Sequence, residues 1–201
     1  MSASARAASR PTPPGAVGIL LAAGEGRRMG RPKALVVGDD GEPWLVRGVR
    51  VLRESGCAHV IVVLGAEAAR VRALLAGDPA VRVVEAAGWQ EGIGASLRAG
   101  LAEVDHPTYA VITLVDLPEL RPEAIRRVAA RATETTLRQA FYAGRPGHPV
   151  VIGAAHFAPL GETLHGDIGA RPYLRTHDAE AVDCTDLGGG DDVDAPPLHA
   201  R

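Results

Sequence analysis

The sequence has little cysteine, few aromatic residues and no strong excess of either charge. Its only cysteines, Cys57 and Cys184, are far apart and in no CxxC pair, which argues against a disulfide framework or a structural zinc site. Aromatic residues make up 3% of the chain, too few for a platform that stacks single-stranded bases. The formal net charge of −2 provides no basic surplus for nucleic acid or an anionic membrane. No apolar run approaches the roughly 18 residues of a membrane span, so we expect neither nucleic acid nor membrane as a partner.

The first 14 residues, MSASARAASRPTPP, have no apolar centre and do not resemble a secretory signal. We interpret residues 1–14 as a disordered leader and, without an export signal, expect a cytoplasmic protein. Hydrophobic residues make up 46% of the chain and charged residues 23%, which is typical of a globular protein. Residues 15–201 are therefore predicted to form one domain.

Short β-branched segments alternate with helical patterns from residue 16 onward, as in βαβ units. Strands are predicted at residues 16–22, 59–64, 81–85, 109–115, 138–143, 148–152 and 180–184. Helices are predicted at residues 43–55, 67–76, 94–104, 122–132 and 168–176. The segment GRPGHP, between the fifth and sixth strands, is interpreted as a turn or an inserted hairpin. We expect an α/β fold with a mostly parallel central sheet flanked by helices, and ligand-binding residues directly after the strands.

The loop after the first strand, LLAAGEGRRMGRPKAL (residues 20–35), is rich in glycine and cations. Gly24, Gly26 and Gly30 let backbone N–H groups approach a polyphosphate. Three arginines and Lys33 oppose one glutamate, a net charge of +3, and Lys33 is the only lysine among 22 basic residues. The spacing matches neither the dinucleotide fingerprint GxGxxG nor a P-loop. A phosphate-binding loop is therefore predicted, against the alternative of a solvated turn with scattered arginines.

The same loop resembles the signature LAAGxGxRMGxxKxL of nucleotidyltransferases that activate small molecules with nucleoside triphosphates. Five later motifs resemble the molybdenum cofactor cytidylyltransferase (MocA/MobA-like NTP transferase) branch: GWQEGIGASLRAG (88–100), LVDLP (114–118), YAGRPGHPV (142–150), GDIGAR (166–171) and DVDAP (192–196). The resemblance covers residues 16–196 and implies a single-domain Rossmann-like nucleotidyltransferase fold. It implies Mg²⁺-dependent transfer of CMP from CTP to the phosphate of Mo-molybdopterin, with release of pyrophosphate. A molybdopterin-type acceptor and a molybdoenzyme that receives the product are the implied partners.

The resemblance also implies which residues hold the nucleotide. Lys33 and Arg28 match the family's phosphate-binding cations, and with Asp116 they are the expected catalytic residues. The nucleotide-binding residues that it implies are Leu21, Ala22, Ala23, Gly24, Gly26, Arg28, Lys33, Gly94 and Ser96. Ala22 and Ala23 resemble the CTP users of the family, whereas guanylyltransferases tend to have Gly-Gly. Ser96 also fits a simple helix cap, and the free N–H groups of the turn around Gly94 suit contacts to base or ribose.

Three aspartates have the pattern of a Mg²⁺ site. Asp116 ends the fourth strand and lies six residues before the next helix, too early to cap it. Alternation in an extended segment puts Asp192 and Asp194 on one side, where two carboxylates repel unless a cation lies between them. DVDAP resembles the family's DxDTP, although Ala195 replaces the threonine and residues 197–199 depart from the usual PEDL. A plain acidic loop is the alternative.

Four residues match family positions near the second substrate: Gly147, His148, Asp167 and Arg171. His148 also fits a turn and Asp167 a helix N-cap. Trp89 fits the core as well as a pocket lining.

Three rival functions follow from the same residues. A guanylyltransferase acting on phosphoenolpyruvate or phospholactate in deazaflavin cofactor synthesis also carries a DxD tail. A non-catalytic carrier of finished molybdenum cofactor would keep the pocket without needing Lys33 and three aspartates together. A dinucleotide-dependent oxidoreductase is the general alternative for an α/β chain, and the spacing of the glycines disfavours it.

Overall fold

The computed structural model describes residues 15–75 and 77–194. The leader predicted over residues 1–14 lies outside the described residues. So do Ala195 and residues 197–199, where the sequence departs from the family pattern, and Ala76, the predicted end of the second helix.

Seven strands form one sheet in the order β3-β2-β1-β4-β6-β5-β7. They are β1 (Ala16–Ala22), β2 (His59–Leu64), β3 (Val81–Glu85), β4 (Tyr109–Leu114), β5 (Leu137–Tyr142), β6 (Arg145–Gly153) and β7 (Glu180–Asp183). The strand β6 runs antiparallel to both of its neighbours, and all other pairings are parallel. The predicted single-domain α/β fold with a mostly parallel sheet is confirmed.

Six α-helices flank the sheet within the described chain: α1 (Trp44–Glu54), α2 (Ala68–Ala73), α3 (Ile93–Ala102), α4 (Pro122–Val128), α5 (Phe157–Thr163) and α6 (Arg171–Thr176). Helix α2 begins after Glu67, whose φ of 50° is left-handed and keeps that residue out of the helix. Helix α5 was not predicted because Pro159 and Gly161 are poor helix formers, and its fully buried Leu160 fixes it to the sheet instead. The predicted ends of α3 and α4, near residues 104 and 132, lie beyond the observed ends. The predicted start of α6, near residue 168, lies before the observed start.

Alternating side chains of the central strands fill two cores, one on each face of the sheet. On β1, Leu20 and Ala22 belong to the core that α1 and α4 cover. Ile19 and Leu21 belong to the opposite core, which α3, α5 and α6 cover. Burial of both faces explains the nearly continuous apolar strands in the sequence.

The segment GRPGHP forms part of a hairpin, as one of the two interpretations had it. Its turn is confined to Ala143 and Gly144, whose φ angles are 49° and 76°, and residues 145–149 already belong to β6. Because Ile112 of β4 pairs with Val150 of the antiparallel β6, the beginning of β6 lies beside the carboxyl end of β4. This reversal brings Gly147 and His148 to the edge of the sheet where the parallel strands end.

No helix in the described ranges is long and apolar enough to cross a membrane, the longest being the 11-residue α1.

Candidate nucleotide and metal site

A cavity of about 500 Å³ lies at the carboxyl edge of the parallel strands, between the loop after β1 and the beginning of α3. The expected nucleotide-binding residues that line it are Leu21, Ala22, Ala23, Gly24, Gly26, Lys33 and Ser96. Asp116 and Asp167 line it as well, whereas Arg28 and Gly94 do not. The cavity is large enough for a small-molecule ligand and lies where open α/β sheets bind theirs.

The loop after β1 folds tightly around Gly26. This residue has a φ of 63°, and a Cβ atom there would lie 2.0 Å from the carbonyl oxygen of Arg31. Only glycine fits such a position. The Gly26 carbonyl accepts the N–H of Met29 at 2.8 Å, and short 3₁₀ turns follow at Arg27–Met29 and Lys33–Leu35. The compact loop thereby turns the side chain of Lys33 back to the cavity.

Lys33 lies between two carboxylates. Its Nζ atom donates to Asp116 Oδ2 at 2.7 Å and to Asp194 Oδ1 at 2.6 Å. Burial lowers the pKa of Lys33, but the hydrogen bonds and charges of Asp116 and Asp194 together outweigh it and raise that pKa above its ordinary value. The ammonium group is therefore charged at neutral pH.

Asp194 binds a second cation from the same loop. Arg28 Nη1 donates to Asp194 Oδ2 at 2.6 Å, so one carboxylate holds both Arg28 and Lys33. The hydrogen bond and charge of Lys33, followed by the charge of Arg28, hold the pKa of Asp194 below its ordinary value. Arg28 itself is exposed, with 77% of its side chain accessible. Its guanidinium thus lies beside the carboxylates and outside the cavity wall.

The three aspartates meet at this edge. One carboxylate oxygen from each of Asp116, Asp192 and Asp194 lies within 4.8 Å of the others. The backbone N–H of Val193 donates to the Asp116 carbonyl at 3.0 Å and holds the two segments together. Asp116 Oδ1 is buried without a hydrogen-bond partner among the described residues, a costly arrangement that a bound cation would relieve. Three hard oxygen donors and one orphaned buried oxygen fit Mg²⁺ or Mn²⁺.

Asp192, from the carboxylate cluster, lines a second cavity of about 290 Å³. Gly147 and Arg171, two of the four expected acceptor residues, line it together with Asp192. Asp167 is separate from them, because it lines the first cavity. It does not cap α6 either, since that helix has Ala170 at its N-cap.

His148 lies close enough to the aspartates to interact with their charges. Burial lowers the pKa of His148 to about 4, against the opposing effect of Asp116 and Asp192, which raise it. The imidazole is therefore neutral at pH 7. The Tyr142 hydroxyl donates to the His148 carbonyl at 2.9 Å, which fixes the backbone within β6, so His148 is not a turn residue.

The beginning of α3 differs from the expectation for Gly94. Its N–H is not free, because it donates to the Gly166 carbonyl at 2.9 Å. A Cβ atom at Gly94 would lie 2.6 Å from the carbonyl oxygen of Ile168. Gly94 thus allows close packing of α3 against residues 165–168. Ser96 is buried and lies in the second half of the first turn, so it is not the N-cap, which is Gly92.

We expect Gly94→Ala to destabilise the fold by about 1–3 kcal/mol, because the added methyl group would collide with backbone atoms that cannot move freely. The control is Gly161→Ala in α5, where no atom lies within 4 Å of the added Cβ. That variant should be neutral or slightly stabilising. Urea unfolding of both variants measures the difference. Equal stability of the two variants would show that Gly94 is not needed for packing.

Trp89 was predicted to lie either in the core or in a pocket lining, and it does both. It is half-buried, packs against the core and also lines the first cavity. Arg27, Gln90 and Ile93 line the cavity too, although they were not expected there. The available signal was their position in the two glycine-rich motifs, where Arg27 and Ile93 are next to a glycine and Gln90 is two residues from one.

Residues 18–182 match the family model described as "MobA-like NTP transferase domain". Nicotine blue oxidoreductase of Paenarthrobacter nicotinovorans is 35% identical over 198 residues, which cover 90% of this chain and 93% of that protein. A probable molybdenum cofactor guanylyltransferase of Mycobacterium avium is 36% identical over 120 residues, 59% of this chain and 58% of the relative.

A solved structure has the same architecture. The crystal structure of Rv0371c from Mycobacterium tuberculosis H37Rv superposes with a TM-score of 0.77 at 34% identity, covering 92% of this chain and 95% of that one. A second structure of Rv0371c is a complex with manganese, with a TM-score of 0.68 at 33% identity and coverage of 84% and 89%.

Proposed function

Because this chain belongs to the MobA-like NTP transferase family and is a nucleotidyltransferase, we propose that it transfers CMP from CTP to the phosphate of Mo-molybdopterin. Pyrophosphate is the second product and Mg²⁺ the cofactor. The observation that carries the proposal is the Lys33 ammonium, held between Asp116 and Asp194 at the wall of the 500 Å³ cavity. A charged ammonium beside clustered carboxylates suits a site that binds a triphosphate together with a divalent cation.

The proposed reaction needs positioning and charge neutralisation more than covalent chemistry. An oxygen of the acceptor phosphate attacks the α-phosphorus of CTP, and the bond between that phosphorus and the α–β bridging oxygen breaks. Lys33 neutralises charge that moves to the departing pyrophosphate, and Arg28 binds the triphosphate from the exposed side. When bound by Asp116, Asp192 and Asp194, Mg²⁺ would supply further charge neutralisation at the phosphate oxygens.

We place the acceptor in the second cavity, which Gly147 and Arg171 line, with His148 as the residue that follows Gly147 on β6. Asp192 is shared between this cavity and the carboxylate cluster, which supports an acceptor phosphate close to the α-phosphate. His148 is neutral at pH 7 and can form a hydrogen bond to the acceptor without adding charge. The position of Asp167 in the first cavity favours contact with the nucleotide over contact with the acceptor. A molybdoenzyme would then receive the cytidylylated product.

We expect CTP to bind more tightly than GTP, because Ala22 and Ala23 line the cavity where guanylyltransferases tend to have the smaller glycine, which leaves a purine more room. Competition of the two nucleotides for one binding signal, with Mg²⁺ present, measures the preference. The double variant Ala22→Gly/Ala23→Gly tests whether the two alanines cause the preference, and it should reduce the preference for CTP over GTP. Tighter binding of GTP by about tenfold would favour the guanylyl alternative instead, in line with the relative named a probable molybdenum cofactor guanylyltransferase.

One relative supports a second candidate function of another class. The protein named nicotine blue oxidoreductase matches over 90% of this chain. An oxidoreductase activity is therefore the second candidate function. The discriminating assay measures pyrophosphate release and NADH consumption in parallel. Pyrophosphate release that requires both nucleotide and acceptor supports the transferase. NADH consumption without nucleoside triphosphate supports the oxidoreductase, and binding of molybdenum cofactor with no turnover supports a carrier.

The first experiment is a thermal-shift series with CTP, GTP, ATP and UTP, each with and without Mg²⁺. A ligand at 100 times its dissociation constant stabilises by about 2.7 kcal/mol, which is readily measured. We expect the largest shift with CTP and Mg²⁺ together. Turnover is then tested with Mo-molybdopterin as acceptor, by pyrophosphate release and by the mass of the product. A protein that no nucleotide stabilises in the presence of Mg²⁺ would not have the proposed function.

A further inference from the structure

The two ends of the 500 Å³ cavity differ in chemistry. Asp116 and Lys33 form one end, beside β4 and β1. Trp89 forms the other end, in the 3₁₀ turn that follows β3. The Trp89 ring packs against Gly65, directly after β2, so in the order β3-β2-β1-β4 these ends are two strand spacings apart, about 9–10 Å at 4.7–4.9 Å per spacing. A ligand that fills the cavity therefore has one end at the cation and another at an indole ring.

The ring of Trp89 is held in place from behind. Gly65, directly after β2, lies so close that a Cβ atom there would be 2.5 Å from Trp89 Cγ and 2.6 Å from the carbonyl oxygen of Ala23. The backbone N–H of Trp89 donates to the Ala86 carbonyl at 3.1 Å. The ring is therefore supported by backbone on one side while it faces the cavity on another. A preorganised aromatic surface loses little conformational entropy when a ligand binds to it.

The surroundings of Trp89 favour a flat group that can also form hydrogen bonds. Gly92, Ile93 and Ser96 line the same end, and Ile93 exposes 38% of its surface. Arg27 also lines the cavity, but its guanidinium is paired with Glu25. Asp167 and Gln90 line the cavity too, and a Cβ atom at Gly92 would lie 2.3 Å from Asp167 Oδ1. This end thus offers the ring of Trp89 for the π-face of a nucleobase and polar side chains for its edge.

We propose that Trp89 is the residue that binds the nucleobase of the nucleoside triphosphate, and that Gly65 positions its ring. This inference rests on the proposed nucleotide-binding function and assigns one residue within it to the base. Trp89 then contributes affinity for any base, while Ala22 and Ala23 select its size.

The test compares a nucleotide with inorganic tripolyphosphate, which has the phosphates and no base. Both are titrated with Mg²⁺ by calorimetry into the wild type, Trp89→Ala and Trp89→Phe. The nucleotide is CTP, or GTP if GTP binds more tightly. We expect Trp89→Ala to weaken the nucleotide by about tenfold to a hundredfold, the range of base–aromatic stacking. Tripolyphosphate should bind both proteins within about twofold, and Trp89→Phe should recover most of the nucleotide affinity.

The second tryptophan provides a spectroscopic control that does not depend on truncating the ring. Trp44 is 5% exposed and belongs to the core on the opposite face of the sheet. In the variant Trp44→Phe, fluorescence reports on Trp89, and we expect quenching by the nucleotide but not by tripolyphosphate. In Trp89→Phe, fluorescence reports on Trp44 and should change little with either ligand.

Three results would overturn the proposal: unchanged nucleotide affinity in Trp89→Ala, equal weakening of nucleotide and tripolyphosphate, or no base-dependent quenching in Trp44→Phe. If Trp89→Ala does not fold, as judged by circular dichroism, the quenching result decides. Failure of the proposed function is recognised separately, because it would appear as absent pyrophosphate release by a protein that still binds nucleotide. A wild type that binds no nucleotide would overturn both.

Discussion

Lys33→Ala is expected to lower turnover by roughly a hundred- to a thousandfold, the usual scale for deleting one preorganised electrostatic contact. Lys33 is positioned by Asp116 and Asp194 at 2.7 and 2.6 Å, so its charge is in place before the reaction begins. Its effect should therefore fall on the transition state more than on nucleotide binding. Steady-state pyrophosphate release measures turnover, and melting temperatures show whether the variant is folded.

Lys33→Arg should also be impaired, since a planar guanidinium cannot replace a compact ammonium at a tight phosphate site. This variant is the more informative of the two, because the rest of the chain uses arginine at every other basic position. Arg31→Ala is the matched control: it removes an exposed cation from the same loop, and its turnover should remain close to that of the wild type. Turnover of Lys33→Arg within about twofold of wild type would mean that the loop is a general phosphate cradle.

Asp116→Asn is expected to abolish measurable turnover while the fold remains intact. The substitution removes the charge of the most buried carboxylate in the cluster and leaves an amide beside the Lys33 ammonium. An amide is also a much poorer ligand for a hard divalent cation than a carboxylate. We expect the Mg²⁺-dependent part of the nucleotide-induced thermal shift to disappear along with turnover.

The control for Asp116→Asn is Asp105→Asn, which removes the same charge from an aspartate with 85% of its side chain exposed, far from the cluster. It should bind Mg²⁺ and nucleotide as the wild type does. Full activity of Asp116→Asn at ordinary Mg²⁺ concentrations would remove Asp116 from the metal site. The same measurement on Asp192→Asn and Asp194→Asn shows which second carboxylate the metal requires.

Simple rules predicted much of the fold and the meeting of the aspartates. Apolar strand patterns predicted all seven strands. The signal is strongest in the central strands, whose two faces are buried, whereas the edge strands β3 and β7 expose side chains such as Arg82 and Glu180. The rule that ligands bind after parallel strands placed Asp116 correctly beside the loop of Lys33. The alternation of an extended chain then predicted that Asp192 and Asp194 lie on one side, and their oxygens do converge with that of Asp116.

The rest could not be predicted, for equally specific reasons. The N–H of Gly94 is used by Gly166, a partner more than 70 positions later, which no local pattern reveals. Gly147 and His148 reach the site at the beginning of a strand, because β6 runs antiparallel to its neighbours. The pairing of Arg28 and Lys33 with one carboxylate depends on side-chain positions 161 or more residues apart. Such contacts are properties of the packed chain and leave no periodic signal in the sequence.

We propose that the sharing of Asp194 couples the two proposed ligands of the site, the divalent cation and the triphosphate, thermodynamically. Its two oxygens are held by Lys33 and Arg28, and the same carboxylate belongs to the group that fits a divalent cation. A cation that draws Asp194 toward itself weakens its hold on both basic side chains and frees them for phosphate. A triphosphate that recruits the basic side chains in turn frees Asp194 for the cation. Linkage requires that each ligand increase the affinity of the other by the same factor, so the site favours arrival of the metal–nucleotide complex over either component.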